Sequence, residues 1–343
     1  TVGKLTENKT PKEVAEIKIV DPACGSGSFL LGAYQYLLNW HKDYYTKNTG
    51  KKNTLTPEGN LTTNEKKKIL LNNIYGVDID TNAVEVTKLS LLLKCMEGET
   101  QASIANQKTM FNERVLPTLE NNIKSGNSLI DTDYYDNQLD FGEERKIKPF
   151  SWQKAFPSVF KNGGFDVVIG NPPYVKIQTL QENNPQSIFD YFKKSYISAK
   201  AGNYDLYVLF MEQSFKMLNK TGKLSYILPH KFLISDFGSG IRGFLSENKA
   251  VESLLHFGSE MVFEDASTYT CIINLSHNNE KLHFKSISPN DIFNPFEYDS
   301  ISYENLNSDK WNLSSNDITK VLEKINLQPL RVKDVFAKIF QGI

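Results

Sequence analysis

Short apolar runs rich in β-branched residues recur along the chain, and several are followed by stretches with helical spacing. The pattern predicts strands at Ile17–Val20, Ile74–Ile79, around Ile123, Phe165–Ile169, Leu224–Leu228, Ser253–Phe257 and Thr270–Leu275. Helices are predicted at Ser28–Trp40, where Phe29, Leu30, Ala33, Leu37 and Trp40 recur at helical spacing, at Asn82–Lys94 and at Leu206–Leu218. Strands alternating with helices imply βαβ units and an α/β domain built on a parallel sheet. Such sheets bind ligands at the turns that follow their central strands.

Three polar stretches interrupt this pattern and are expected to be inserted loops: 42–68, 131–161 and 175–203. After Ser276 the alternation stops. Lys281–Phe293 has the pattern of an edge hairpin, and Ser314–Lys324 that of a helix opened by a Ser/Asn cap. Residues 1–277 are therefore expected to form one enlarged domain and 278–343 an extension.

Composition narrows the class. Lys and Arg number 39 and Asp and Glu 40, a formal charge of −1 over 343 residues. That excludes a chain coating nucleic acid through bulk charge, although not a local basic patch. Cys24, Cys95 and Cys271 are odd in number and far apart, so neither a disulfide framework nor a four-ligand zinc site is expected, and no metal is called for. His41, His256 and His277 show no metal-ligand spacing. No apolar run is long enough for a membrane span. The chain opens at Thr1 with no apolar signal core, which suggests a fragment and a cytoplasmic location.

The first strand runs into Asp21-Pro22-Ala23-Cys24-Gly25-Ser26-Gly27-Ser28. Glycines permit a tight turn and close approach of a ligand to backbone. The helix that follows offers free N–H groups. Leu30 stands where a dinucleotide fingerprint needs glycine, and no Gly-Lys-Ser/Thr follows for a phosphate-cradling loop. An acid at the strand end suits a ligand with a cationic group. A tight turn with no ligand is the bland alternative. The second strand ends at Asp78-Ile79-Asp80. Asp78 is placed to accept from two ribose hydroxyls, whereas Asp80 fits a helix cap.

The fourth strand ends at Gly170-Asn171-Pro172-Pro173-Tyr174. Two prolines stop the ladder and stiffen the turn. The Asn171 side-chain oxygen and the Pro172 carbonyl can then stand as two fixed acceptors. An exocyclic amine held by both has its lone pair turned toward an electrophile, and the same dipoles stabilise the positive charge that develops. Tyr174 can stack on a flat ring. An ordinary Asn-Pro turn is the alternative.

In this order, the glycine turn, Asp78 and Asn171-Pro172-Pro173-Tyr174 resemble the S-adenosylmethionine-dependent DNA adenine-N6 methyltransferases of the gamma class. Phe29-Leu30-Leu31-Gly32 after the turn looks like the methyltransferase part of type IIG restriction–modification enzymes. The resemblance covers about residues 1–277. It implies a class I, Rossmann-like α/β fold: a mainly parallel seven-stranded sheet, helices on both faces and a last antiparallel strand. It implies S-adenosyl-L-methionine as methyl donor, double-stranded DNA as partner and a base flipped out of the helix. Asp21, Pro22, Ala23, Cys24, Gly25 and Gly27 would shape the methionine end of the donor. Asp78 would hold its ribose, Ile79 would pack on its adenine, and Asn127, where the family often has Asp, would meet the adenine amine. Asn171, Pro172, Pro173 and Tyr174 would be catalytic, and Tyr174 and Phe263 would stack on the target base, with Tyr269 as the nearest competitor to Phe263. Asp166 is expected to be structural. The family's Tyr-Thr-Pro segment would lie upstream of Thr1, and Leu330–Ile343 resembles the opening of a target-recognition domain, with any nuclease also outside these residues.

The same Asn-Pro-Pro-Tyr turn also occurs in methyltransferases of glutamine amides and of RNA guanine amines, and a non-catalytic DNA- or partner-binding domain is an alternative of another class. His230 is expected to be a loop or backbone-contact residue. Lys51-Lys52 and Lys66-Lys67-Lys68 fit a solvated loop better than phosphate contacts.

Overall fold

Ile19, Val20, Val167 and Val168 are wholly buried, and they lie on two adjacent strands at the middle of the sheet. The computed structural model describes residues 1–48, 54–99, 116–136, 144–200, 202–263 and 268–313, with short pieces at 324–325, 327–330 and 332–335. Nine strands are described: β1 Ile19–Asp21, β2 Ile74–Asp78, β3 Ile123–Ser125, β4 Phe165–Gly170, β5 Leu218–Pro229, β6 Val251–His256, β7 Thr270–Ser276, β8 Lys281–Ser286 and β9 Asp299–Ser302. Their order in one sheet is β3-β2-β1-β4-β5-β7-β6-β8-β9. Strands β1 to β5 pair in parallel, and β7 is antiparallel to both its neighbours, β5 and β6. The class I architecture expected from the sequence is present. Strands β8, parallel to β6, and β9, antiparallel to β8, extend it by two.

Successive residues of a strand face opposite sides, so each strand feeds two cores. Ile19, Ile74, Val167 and Ile169 face one apolar cluster, while Val20, Val77 and Val168 face the other. The first is covered by α1 (Ser28–Lys47), α2 (Thr63–Asn73) and α3 (Thr81–Met96) through Leu30, Leu37, Leu70 and Leu91. On α1 the buried stripe is Leu30, Ala33, Tyr34, Leu37, Leu38, His41 and Tyr45, so Phe29, at the expected helical spacing, instead faces out. The second cluster takes α4 (Ile177–Gln181), α5 (Gln186–Ser195), α6 (Tyr207–Lys216) and α7 (Ser239–Glu247). No helix among the described residues is long and apolar enough to cross a membrane.

The expected loops carry regular structure. Stretch 42–68 begins in α1 and ends in α2. Tyr45 is buried and its hydroxyl donates to Glu65 at 2.7 Å, which ties the two helices together. Stretch 131–161 holds short helical turns that bury Tyr134, Trp152 and Val159. Stretch 175–203 holds α4 and α5, because Ile188, Phe189 and Phe192 share one buried face. Glu212 of α6, fully buried, locks the end of that insertion. It accepts from Ile197 N–H at 3.1 Å, from Ser198 N–H at 2.8 Å and from Ser198 Oγ at 2.7 Å.

The edge hairpin expected at Lys281–Phe293 is instead β8, with β9 returning only at Asp299. Residues 281–313 belong to the same core, where Leu282, Phe284, Tyr303, Leu306 and Trp311 are buried, so the boundary expected after 277 does not end the packed unit. Most of the helix expected at Ser314–Lys324, from 314 to 323, lies outside the described residues, as does most of Leu330–Ile343.

Candidate active site

The strand order reverses between β1 and β4, and the turns after these strands and after β2 and β3 meet at that crevice. The turn after β1 is set by glycine. Gly25 has φ +52° and Gly27 +85°, where an L side chain is strained. A Cβ on Gly27 would stand 2.9 Å from Thr87 Cγ2. Thr87 Oγ1 donates to the Gly25 carbonyl at 2.7 Å, which fixes the turn to α3. Asp78, at the tip of β2, holds it from the other side by accepting from Gly25 N–H at 2.8 Å and from Asp80 N–H at 2.9 Å. An ionised carboxylate has about four lone-pair directions, so Asp78 retains acceptor capacity toward a ligand. Asp80 caps α3 through Asn82 N–H at 2.9 Å. Cys24 is buried, and burial pushes its thiol well up, as suits a packing residue.

Asp21 is 2% exposed. Burial, then the neighbouring Asp78 charge, pushes its carboxyl up to about 7, against the pull of the Ala23 N–H it accepts. A Cβ at Gly170 would stand 2.6 Å from Asp21 Oδ1, so only glycine lets β4 pass this carboxylate. The next residue, Asn171, is exposed while Pro172 is buried. Tyr174 is half-buried. Its hydroxyl donates to the Ile227 carbonyl at 3.0 Å, and its ring meets that of Tyr207 edge-on at 6.2 Å. Asp166 accepts from Lys18 N–H and Asn219 Nδ2, both at 2.8 Å, a strand-pinning role.

One cavity of about 380 Å3 joins these turns. Pro22 and Ala23 reach it from β1, Asp78 and Ile79 from β2, Asn127 from β3, and Asn171 and Pro173 from β4. Ile79 is 48% exposed there. Asn127 points its Oδ1 onto Leu129 N–H at 3.1 Å, so one lone pair of that oxygen is already engaged. Ser128 Oγ donates to the Pro22 carbonyl at 2.6 Å, tying the β3 turn to the β1 turn. The far wall comes from Leu180, Asn184, Ile188 and Phe189 of the insertion. These residues are absent from the sequence expectation. Their signal was the apolar spacing of α5 within a polar stretch.

A second cavity, of about 700 Å3, lies further along the same sheet edge and is lined by His230, His256 and Tyr269 among others. Phe263 is not among the described residues lining either cavity. Strand β6 runs into buried Phe257 and turns at Gly258, φ +59°, and Gly258, Ser259 and Tyr269 line the second cavity. Residues 264–267 lie outside the described residues.

The sequence model of the Eco57I restriction-modification methylase family matches residues 72–263, and that of the RMKL-like methyltransferase domain matches residues 12–116. The chain is 38% identical to the type II restriction enzyme and methyltransferase RM.Eco57I of Escherichia coli, over 81% of this chain and 26% of that protein. It is 24% identical to the adenine-specific methyltransferase PglX of Streptomyces coelicolor, over 65% of this chain and 18% of that one. It thus spans about a quarter or less of these relatives. Among solved structures, the type ISP restriction-modification enzyme LlaGI aligns with TM-score 0.55 and 14% identity, over 93% of this chain and 26% of its own. The DrdV–DNA complex aligns with TM-score 0.53 and 15% identity, over 87% and 28%. At such identities the likeness is one of fold.

Proposed function

Because the chain belongs to the Eco57I restriction-modification methylase family, we propose that it transfers a methyl group from S-adenosylmethionine to the N6 amine of an adenine flipped out of double-stranded DNA. The observation that supports this reading is one cavity that runs from Pro22 and Ala23, at the head of the glycine turn, and Asp78 to Asn171 and Pro173. It makes the donor cradle continuous with the amine-holding turn. The cradle suits the donor on its own chemistry: glycine backbone in left-handed conformations, a carboxylate with free lone pairs at a neighbouring strand tip, and an exposed Ile79.

Bound S-adenosylmethionine supplies an electrophilic methyl group on a positively charged sulfur. Asp21, Pro22, Ala23, Cys24, Gly25 and Gly27 shape the cradle at its methionine end, with Asp21 as the anion nearest a cationic group. Asp78 would accept from the ribose, Ile79 would pack on the donor's adenine, and the remaining lone pair of Asn127 Oδ1 would accept from its amine. The target adenine leaves the stack because its amine cannot otherwise reach the cavity, at a cost of a few kcal/mol. Stacking on Tyr174 offsets about 1–3 kcal/mol of that. Asn171 Oδ1 and the Pro172 carbonyl accept hydrogen bonds from the two amine N–H groups and turn the lone pair toward the methyl carbon. As the N–C bond forms the S–CH3 bond breaks, its electron pair returning to sulfur as a neutral thioether; nitrogen becomes positive, and each acceptor stabilises it by about 2.7–4 kcal/mol, by analogy with oxyanion holes. One amine proton then leaves to solvent.

Target reading and any DNA cleavage are proposed for the parts of the complete protein that the present residues do not span, given that RM.Eco57I is itself named a restriction enzyme and methyltransferase. The test is Asn171→Ala. Methyl transfer to DNA should fall by about 100-fold or more while donor binding persists. Near wild-type transfer would overturn the mechanism.

A further inference from the structure

The larger cavity has a construction of its own. It stands at the ends of β5, β6 and β8 and the start of β7, which share the sheet edge of the Asn171 turn. None of Asn171, Pro172, Pro173 or Tyr174 is among the described residues lining it, so it is not where the reacting amine is held. Its wall carries three nearly parallel rings. His256 and His230 stack with centroids 4.2 Å apart at 17°, and His230 and Tyr269 lie 6.1 Å apart at 14°. His230 N–H donates to the Tyr269 carbonyl at 3.2 Å, and His256 Nδ1 accepts from Gly258 N–H at 2.9 Å, so backbone fixes the ladder.

Both imidazoles are shifted toward the neutral form. Burial lowers His230, and burial with the facing His230 lowers His256 to about 4. Lys231, beside His230, adds to its lowering, and Lys285 and Asp299 are the other charged groups lining the cavity. His230 Nδ1 is buried with no hydrogen-bond partner among the described residues, an open valence for a polar ligand atom. Tyr269, the last rung, is 42% exposed. Lys285 offers a cation at the wall. The connection from β8 to β9 leaves from this cavity at Ser286, returns to it at Asp299, and carries Phe293 at 96% exposure. A stacked ring ladder with one unmet polar atom suits a heteroaromatic base, with Lys285 as the cation for a neighbouring phosphate and Asp299 as the one carboxylate of the described wall.

We propose that this cavity binds a second nucleobase of the DNA substrate, one that is not methylated and is unstacked beside the target adenine. The inference rests on the DNA reading above. Stacking on the ladder would offset the unstacking of that nucleotide and hold the helix open while the target adenine occupies the Asn171 turn.

The test uses the full chain and DNA carrying its methylation site, first located by sequencing methylated adenines. Each base of the site, on both strands, is replaced singly by a 5-iodopyrimidine or an 8-bromopurine, irradiated with the protein, and crosslinked peptides are identified by mass spectrometry. The expected result is a crosslink to the peptide of Tyr269 or His256 from a position other than the target adenine. Tyr269→Ala should reduce it at least about tenfold, and Tyr269→Phe, which keeps the ring, should retain it. Crosslinks to these peptides from the target position alone, or none at all with DNA that the protein methylates, would overturn the inference. A protein that methylates no DNA would instead sink the functional reading on which it stands.

Discussion

The two ends of the sheet build their cavities by different means. Around β1, β2 and β4 the turns are shaped by backbone, with glycines at φ +52° and +85°, a carboxylate accepting from Gly25 N–H, and a double-proline turn, and the insertion adds an apolar far wall. Around β5, β6 and β7 the walls are side chains, three stacked rings from strand ends that are far apart in sequence. A backbone cradle tolerates little change but binds one ligand shape. A side-chain cavity is easily altered and sets what is accepted. Lesions at the turns after β1 and β2 should weaken donor binding, and lesions at the catalytic turn after β4 and beyond should spare it.

The largest such effect after Asn171 is expected at Tyr174. Tyr174→Ala removes the stacking face, worth about 1–3 kcal/mol, so single-turnover methylation should fall about 5- to 150-fold with the donor Kd unchanged in calorimetry. Tyr174→Phe loses only the bond to the Ile227 carbonyl and should lose far less. A matching fall in donor affinity would break the division.

Gly27→Ala comes next. An L residue at that left-handed position costs about 1–2 kcal/mol before the Thr87 contact is counted. Donor Kd should rise about tenfold and Tm should fall, with binding of DNA alone unchanged.

Asp21 provides a pH test. The native carboxyl keeps, up to about 7, a proton that the unfolded chain releases at its ordinary 3.8. Its contribution to stability is therefore full below the ordinary value and is lost as pH rises through about 7. A cationic donor favours the carboxylate, so its binding should strengthen from about pH 6 to about pH 8, by at most about tenfold per unit. Titration calorimetry across that range should show this slope in the wild type and a flat line for Asp21→Asn. The smallest effect belongs to Asn184 of the insertion wall. Asn184→Ala removes at most a hydrogen bond of about 0.5–1 kcal/mol, so donor Kd should rise about two- to fivefold.

The contrast also explains what the sequence made legible. The glycine turn and Asn171–Tyr174 are contiguous, and their chemistry lies in backbone geometry that Gly and Pro announce. Asp80 was recognisable as a cap because Thr81 and Asn82 open α3. The strands were recognisable because their apolar runs are short and buried on both faces. The insertion was not, because a polar composition hides the three-residue apolar face of Ile188, Phe189 and Phe192. Nor was the second cavity. His230, His256 and Tyr269 have no sequence spacing in common, and only the β5-β7-β6 order brings them together. Tyr269 lines the second cavity and Phe263, six residues earlier, does not, a choice that no spacing in the sequence announces.

The most direct measurement is to offer DNA, RNA and a glutamine-bearing protein to the full chain with S-adenosylmethionine labelled on its methyl group, to read the label by mass spectrometry of nucleosides and peptides, and to place methylated bases by sequencing. The account predicts label in N6-methyladenine alone, at one sequence context, and none with Asn171→Ala. Label in cytosine, in RNA or in a protein glutamine, with none in adenine, would contradict it.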